Sequence, residues 1–151
     1  MYPVFITLHS ILRWAIVLAA LFVLIRAITG ISFKRGWMKM DDRAGLWYTI
    51  FMDVQVLIGI ILYFFLSPTT KIALQNFGAA MGDSGVRFFA VEHVVGMLIG
   101  VTVAHIGRSL ARKAPTNIQK HRRSAIWTVV SLLIVLASIP WPFMSYGRPL
   151  F

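Results

Sequence analysis

The chain has no cysteine, and this excludes disulfides, thiolate metal ligands and a cysteine nucleophile. Charge is scarce as well. Asp, Glu, Lys and Arg make up 13% of the 151 residues, against 58% hydrophobic residues and a mean hydropathy of +0.77. A soluble domain carries about twice that charge, so the composition is that of an integral membrane protein. The alternating pattern of a membrane β-barrel is missing. No internal repeat or broken helix of the transporter kind is evident. The first apolar run lacks a preceding basic region, so a cleaved signal peptide is not expected. A formal net charge of +10 raises nucleic acid as a partner. Most of the cations flank apolar runs, however, which argues against that partner and for a lipid bilayer.

Four apolar stretches have the length of a membrane-crossing helix, at 3–28, 46–66, 87–107 and 124–141. Turn or charge signals bound them: Thr29-Gly30, Ser67-Pro68, Gly82-Asp83-Ser84-Gly85, Ala114-Pro115 and Pro140-Trp141-Pro142. The reading is a single all-α transmembrane domain over 1–151, a four-helix bundle. Arg26, Lys34, Arg35, Lys39 and Arg43 follow the first span. Arg108, Arg112, Lys113, Lys120, Arg122 and Arg123 follow the third. The opposite side has only Lys71, Arg87 and Arg148. The positive-inside rule then puts both basic loops in the cytoplasm and both termini outside (N-out/C-out).

The third stretch, Arg87 to Arg108, carries ionisable residues where only oily side chains are needed: Glu92, His93 and His105. Such residues inside a membrane helix are costly and point to function. At about 100° per residue, Gly96, Gly100, Ala104 and Gly107 fall within roughly 60° of His93. This small-residue stripe suits close approach of another helix. It equally suits a flat cofactor lying against the helix while His93 reaches its metal.

In the first stretch, His9 and Arg13 are four residues apart and share a face. Arg13 lies about 10 Å deep, where an anionic partner is expected. In the second, Asp53 sits near mid-membrane, with Thr102, Thr128 and Ser131 as hydrogen-bond partners at plausible depths. Asp41 or Asp42 is a candidate N-cap for that helix. The external loop 67–86 has a central run that suits a short surface helix covering the outer ends of spans one and three. The Pro- and aromatic-rich end after span four reads as an anchor folding back over the outer face.

His9 and His93 lie within about a turn of the same depth, roughly 5–9 Å from the outer boundary. If the first and third helices are neighbours or diagonal, the imidazoles can oppose each other across the bundle, as in bundle metal sites. Structural zinc asks for four ligands. Two opposed imidazoles, with no cysteine in the chain, fit haem b, with His9 and His93 on the iron and Arg13 beside the propionates. Gly96 and Gly100 would bed the ring. His105 and His121 could form a second, cytoplasmic pair, but His105 is rotated about 120° from the His93 face, which puts one haem ahead of two. His121, beside Arg122 and Arg123, reads otherwise as interfacial.

The segments L-H-S-I-L-R-W (8–14), R-F-F-A-V-E-H (87–93), A-H-I-G-R (104–108), K-H-R-R (120–123) and S-I-P-W-P-F (138–143) resemble a family of small bacterial four-helix membrane proteins labelled cytochrome B. The likeness covers nearly the whole chain. It implies haem b and electron transfer in the bacterial inner membrane. By motif it carries ligand roles to His9 and His93 first, then to His105 and His121. The second span has no histidine, unlike better-known membrane cytochromes.

The leading expectation is therefore an electron-transfer protein or subunit rather than a stand-alone enzyme. It would exchange electrons with quinol, quinone being the second candidate cofactor, or with a membrane or periplasmic redox protein. The alternative is a structural or assembly subunit of a larger membrane complex, with the glycine stripe as its packing seam. A small proton or metal transporter ranks third.

Overall fold

The computed structural model describes residues 1–148, and no strand occurs among them. Helix α1 spans Tyr2–Ser32, with Pro3 in its first turn, where a missing backbone N–H costs nothing. Helix α2 spans Lys39–Ile61 and continues through a π-helical turn, Leu62–Leu66. The loop that follows folds into α3, Pro68–Gln75, and α4, Phe77–Ala80. Helix α5, Ser84–Arg87, a second π turn, Phe88–Glu92, and α6, His93–Arg112, form one continuous rod. Helix α7 spans Asn117–Ala137.

Among the described residues, three rods are long and apolar enough to cross a membrane: Tyr2–Ser32, Lys39–Leu66 and Ser84–Arg112. This is the pattern of a multi-pass membrane protein. The expected fourth span, 124–141, comes out differently. Helix α7 opens seven residues earlier on the polar run Asn117 to Arg123, and it stops at Ala137. Its apolar helical part, from Ser124 on, is therefore shorter than the other three.

Helix α1 packs on α2 and α7, and α6 packs on the same two. The four long helices thus make a ring in which α1 and α6 stand on the diagonal. Small residues let them close on one another. Ala20 of α1, Ala44 of α2 and Ala104 of α6 join Ile16, Val23, Met52, Leu132 and Val135 in the core. One polar chain crosses this core. Ser131 Oγ donates to the Gly100 carbonyl at 2.8 Å, so the Tyr48 hydroxyl, also 2.8 Å away, donates to Ser131.

At the basic end, Lys34 takes a positive φ of 48° and turns the chain from α1 into α2. Asp41 pins this turn. Its carboxylate accepts from Arg26 Nε at 2.7 Å, Arg35 Nη2 at 3.0 Å and the Met38 backbone N–H at 2.7 Å. It is not the N-cap expected of it. Met38 holds that position, and Asp41 sits three residues on and reaches back. Asp42 pairs instead with Arg108 and Arg112 of α6.

Candidate functional site

At the end away from the basic α1–α2 turn, the ring of helices opens into a cavity of about 480 Å³. That is the size of a small-molecule or cofactor pocket. Its walls are largely apolar, among them Ile16, Val56, Met97 and Ile139. Its polar groups include His9 and Arg13 from α1, Gln55 from α2, Tyr63 from the first π turn, His93 from α6, and Arg148 from the strap that follows α7.

Helix α1 delivers His9 and Arg13 to the cavity because they are one turn apart. Gln55 is buried, and its Nε2 donates to the His9 carbonyl at 3.1 Å, tying α2 to α1 beside the imidazole. Gly59 stands opposite, where an added Cβ would lie 3.5 Å from His9 Cε1. His9 Nδ1 is buried with no hydrogen-bond partner among the described residues. A buried polar nitrogen in that state calls for an explanation such as a ligand or water.

His93 is the first residue after the second π turn. A π turn carries one residue more than an α turn and often marks a functional site. Here it releases the Ala90 carbonyl, which accepts from the Tyr63 hydroxyl at 2.9 Å, while the Tyr63 carbonyl accepts from Thr70 Oγ1 at 2.6 Å. The two π turns and α3 are thereby laced together around the cavity mouth. His93 Nδ1 lies 2.7 Å from the Ser138 carbonyl. A carbonyl only accepts, so Nδ1 carries a proton, and in the neutral ring Nε2 keeps its lone pair. This is the arrangement by which metal-binding histidines are oriented.

The His9 and His93 ring centres are 6.1 Å apart across the diagonal of the bundle. Two imidazoles that bind one metal from opposite sides, at about 2.0 Å each, hold their ring centres roughly 6 Å apart. Among the described residues, no three His, Asp or Glu side chains come together to hold a bare metal ion. Two nitrogen ligands alone suit a metal whose other positions are filled by a macrocycle, as in haem.

The other expected site residues lie elsewhere. Gly96 and Gly100 do not bed a cofactor, because they face α7. A Cβ on Gly96 would overlap the Ser138 side chain, and one on Gly100 would stand 3.0 Å from Val135 Cγ2. Gly107 continues the line against Trp127. The stripe is a seam between two helices of this chain. His105 is half exposed on the outside of the bundle, where its Nε2 lies 2.8 Å from Asp53 Oδ1. Asp53 therefore pairs with His105 and not with Thr102, Thr128 or Ser131. His121 is not interfacial but fully buried. Its ring fills the space over Gly30, lies 5.1 Å from the Trp37 ring, and its Nε2 donates to the Arg35 carbonyl at 3.2 Å. His105 and His121 thus have separate structural partners and form no second pair. Glu92 is held at the surface by Arg87, 2.8 Å away.

Gln55, Tyr63 and Arg148 line the site without being among the residues expected from sequence. A signal existed for Gln55, an amide in an otherwise apolar span, and for Arg148, a lone cation among prolines and aromatics.

No family model matches the chain, and no curated protein or solved structure matches it.

Proposed function

We propose that this chain is a multi-pass membrane protein of the bacterial inner membrane, with both termini outside. It binds one haem b between His9 and His93 and carries electrons. The observation that bears most weight is the pairing of His9 with His93, ring centres 6.1 Å apart, with the Nδ1 proton of His93 held by the Ser138 carbonyl. Bound there, haem b would supply one-electron chemistry at its iron.

The protein's own groups account for the rest. His9 and His93 would hold the iron through their ring nitrogens. Gln55 fixes the backbone beside His9, and Ser138 fixes the tautomer of His93. The apolar walls exclude water from the ligand face. Arg13, buried at the cavity wall, supplies positive charge toward carboxylates that would be costly to bury alone. The cavity lies toward the outer end, which favours exchange with quinol or with a partner on that face.

The test is a reduced-minus-oxidised visible spectrum of the purified protein in mild detergent. A low-spin b-type signal at one haem per chain is expected. It should be lost in His9→Ala and in His93→Ala, and retained in His105→Ala. A folded, colourless protein that takes up no added haem would refute the reading and return the chain to the class of structural subunits.

A further inference from the structure

We propose that the strap after α7, residues 138–148, is part of the cofactor site, and that Arg148 is a second cation which binds a carboxylate of the molecule in the cavity. The inference rests on the haem reading above and extends it to the ligand's acidic groups.

The strap meets the site at both ends. Its first carbonyl, Ser138, orients His93. Its last described side chain, Arg148, lines the cavity. Between them the chain is folded tightly back. The Met144 N–H donates to Trp141, the Gly147 N–H to Met144 and the Arg148 N–H to Pro140. Tyr146 stacks on Phe88, with ring centres 4.4 Å apart, and this docks the strap on the turn that leads into His93.

Arg148 is held from two sides by neutral groups. Its Nη1 donates to the Tyr2 hydroxyl at 2.8 Å, and its guanidinium lies 4.5 Å over the Phe89 ring. No Asp or Glu side chain pairs with it. All five are committed elsewhere: Asp41 to Arg26 and Arg35, Asp42 to Arg108 and Arg112, Asp53 to His105, Glu92 to Arg87, and Asp83 to the N–H of Val86 as a helix cap. Tyrosine and phenylalanine position the guanidinium, and among the described residues no carboxylate compensates its charge. A guanidinium binds carboxylates through two parallel N–H groups, and its strength rises in an apolar wall. An apolar molecule that carries carboxylates at one edge supplies what the strap lacks, and haem b has two.

The experiment uses the full-length protein in lipid nanodiscs, stripped of haem and titrated with protohaem or with its dimethyl ester, which has no free carboxylate. The wild type should prefer the free acid about tenfold or more, a modest value for one charge-assisted pair. Arg148→Gln should lose most of that preference, keep the low-spin spectrum and lower the midpoint potential, because a nearby cation disfavours the ferric state. Arg148→Lys should restore the potential more fully than the preference. Tyr2→Phe, which keeps the charge but releases its anchor, should weaken the preference several-fold, and it decides the question if Arg148→Gln does not fold. A haem-binding wild type whose preference and potential are unchanged by these substitutions would overturn the role of the strap and leave the roles of His9 and His93 intact. A wild type that binds neither porphyrin would overturn the haem reading itself.

Discussion

Replacing Gly107 by alanine should destabilise the bundle by about 1–2 kcal/mol, although alanine is the better helix former. The new methyl would overlap Trp127 Cβ and stand 3.5 Å from its Cα. Neither atom can rotate away, so α6 and α7 must separate. Forcing one carbon into a packed interface costs about 1–3 kcal/mol, and relief of glycine's backbone entropy returns about 0.5–1 kcal/mol. Two other glycines calibrate the sum. At Gly100 the new methyl would meet Val135 Cγ2 at 3.0 Å, a few tenths of an ångström too close rather than an overlap, so Gly100→Ala should cost less, under about 1 kcal/mol. At Gly45 the nearest atoms are Cδ and Cγ of Arg108, both at 3.7 Å, an ordinary contact. Gly45→Ala should therefore be neutral or stabilising by up to about 1 kcal/mol. Thermal unfolding in one detergent, followed by circular dichroism, reads the series. Gly107→Ala should lose about 3–6 °C in Tm for a chain of this size. If Gly107→Ala matches the wild type, or if Gly45→Ala is as damaging, the seam does not have the closeness described.

Two further predictions concern the polar contacts. Ser131→Ala leaves the Tyr48 hydroxyl and the Gly100 carbonyl without their shared partner in the core, at a cost of about 1–3 kcal/mol. Tyr48→Phe on that background should add little, and additive losses in denaturant unfolding would show that the two hydroxyls act separately. His105→Ala and Asp53→Asn should each cost about 1–3 kcal/mol, because the pair lies on membrane-crossing rods, where no water replaces the lost partner. Neither should release haem, and loss of the spectrum in His105→Ala would restore His105 as a ligand.

Depth along a helix is readable from sequence, and neighbourhood is not. Counting residues from the span ends puts His9 and His93 at one level. That they meet across a diagonal depends on the ring order of the four helices, which no single helix encodes. The same gap explains the glycine stripe. Its spacing shows a surface made for close approach, but only the partner's placement shows that Val135, Trp127 and Ser138 occupy it. For His121, adjacent arginines suggest solvent, yet its ring is directed under the α1–α2 turn, where Gly30 leaves it space. Asp53 could be placed at depth from sequence, but its partner could not, because a hydrogen bond between helices depends on rotation as well as depth.

The π turn before His93 has a consequence for how the chain can change. It inserts one residue, about 100° of rotation, between two sets of contacts. Upstream, Phe88 stacks on Tyr146 and Ala90 accepts from Tyr63. Downstream, the glycine seam locks α6 to α7. The inserted residue lets the outer cap and the inner seam each hold its own register on one unbroken rod, much as a clutch joins two shafts set at different angles. Removing one residue from 88–92 would force a choice between them. His93 would stay with the seam, and the cap above it would turn away.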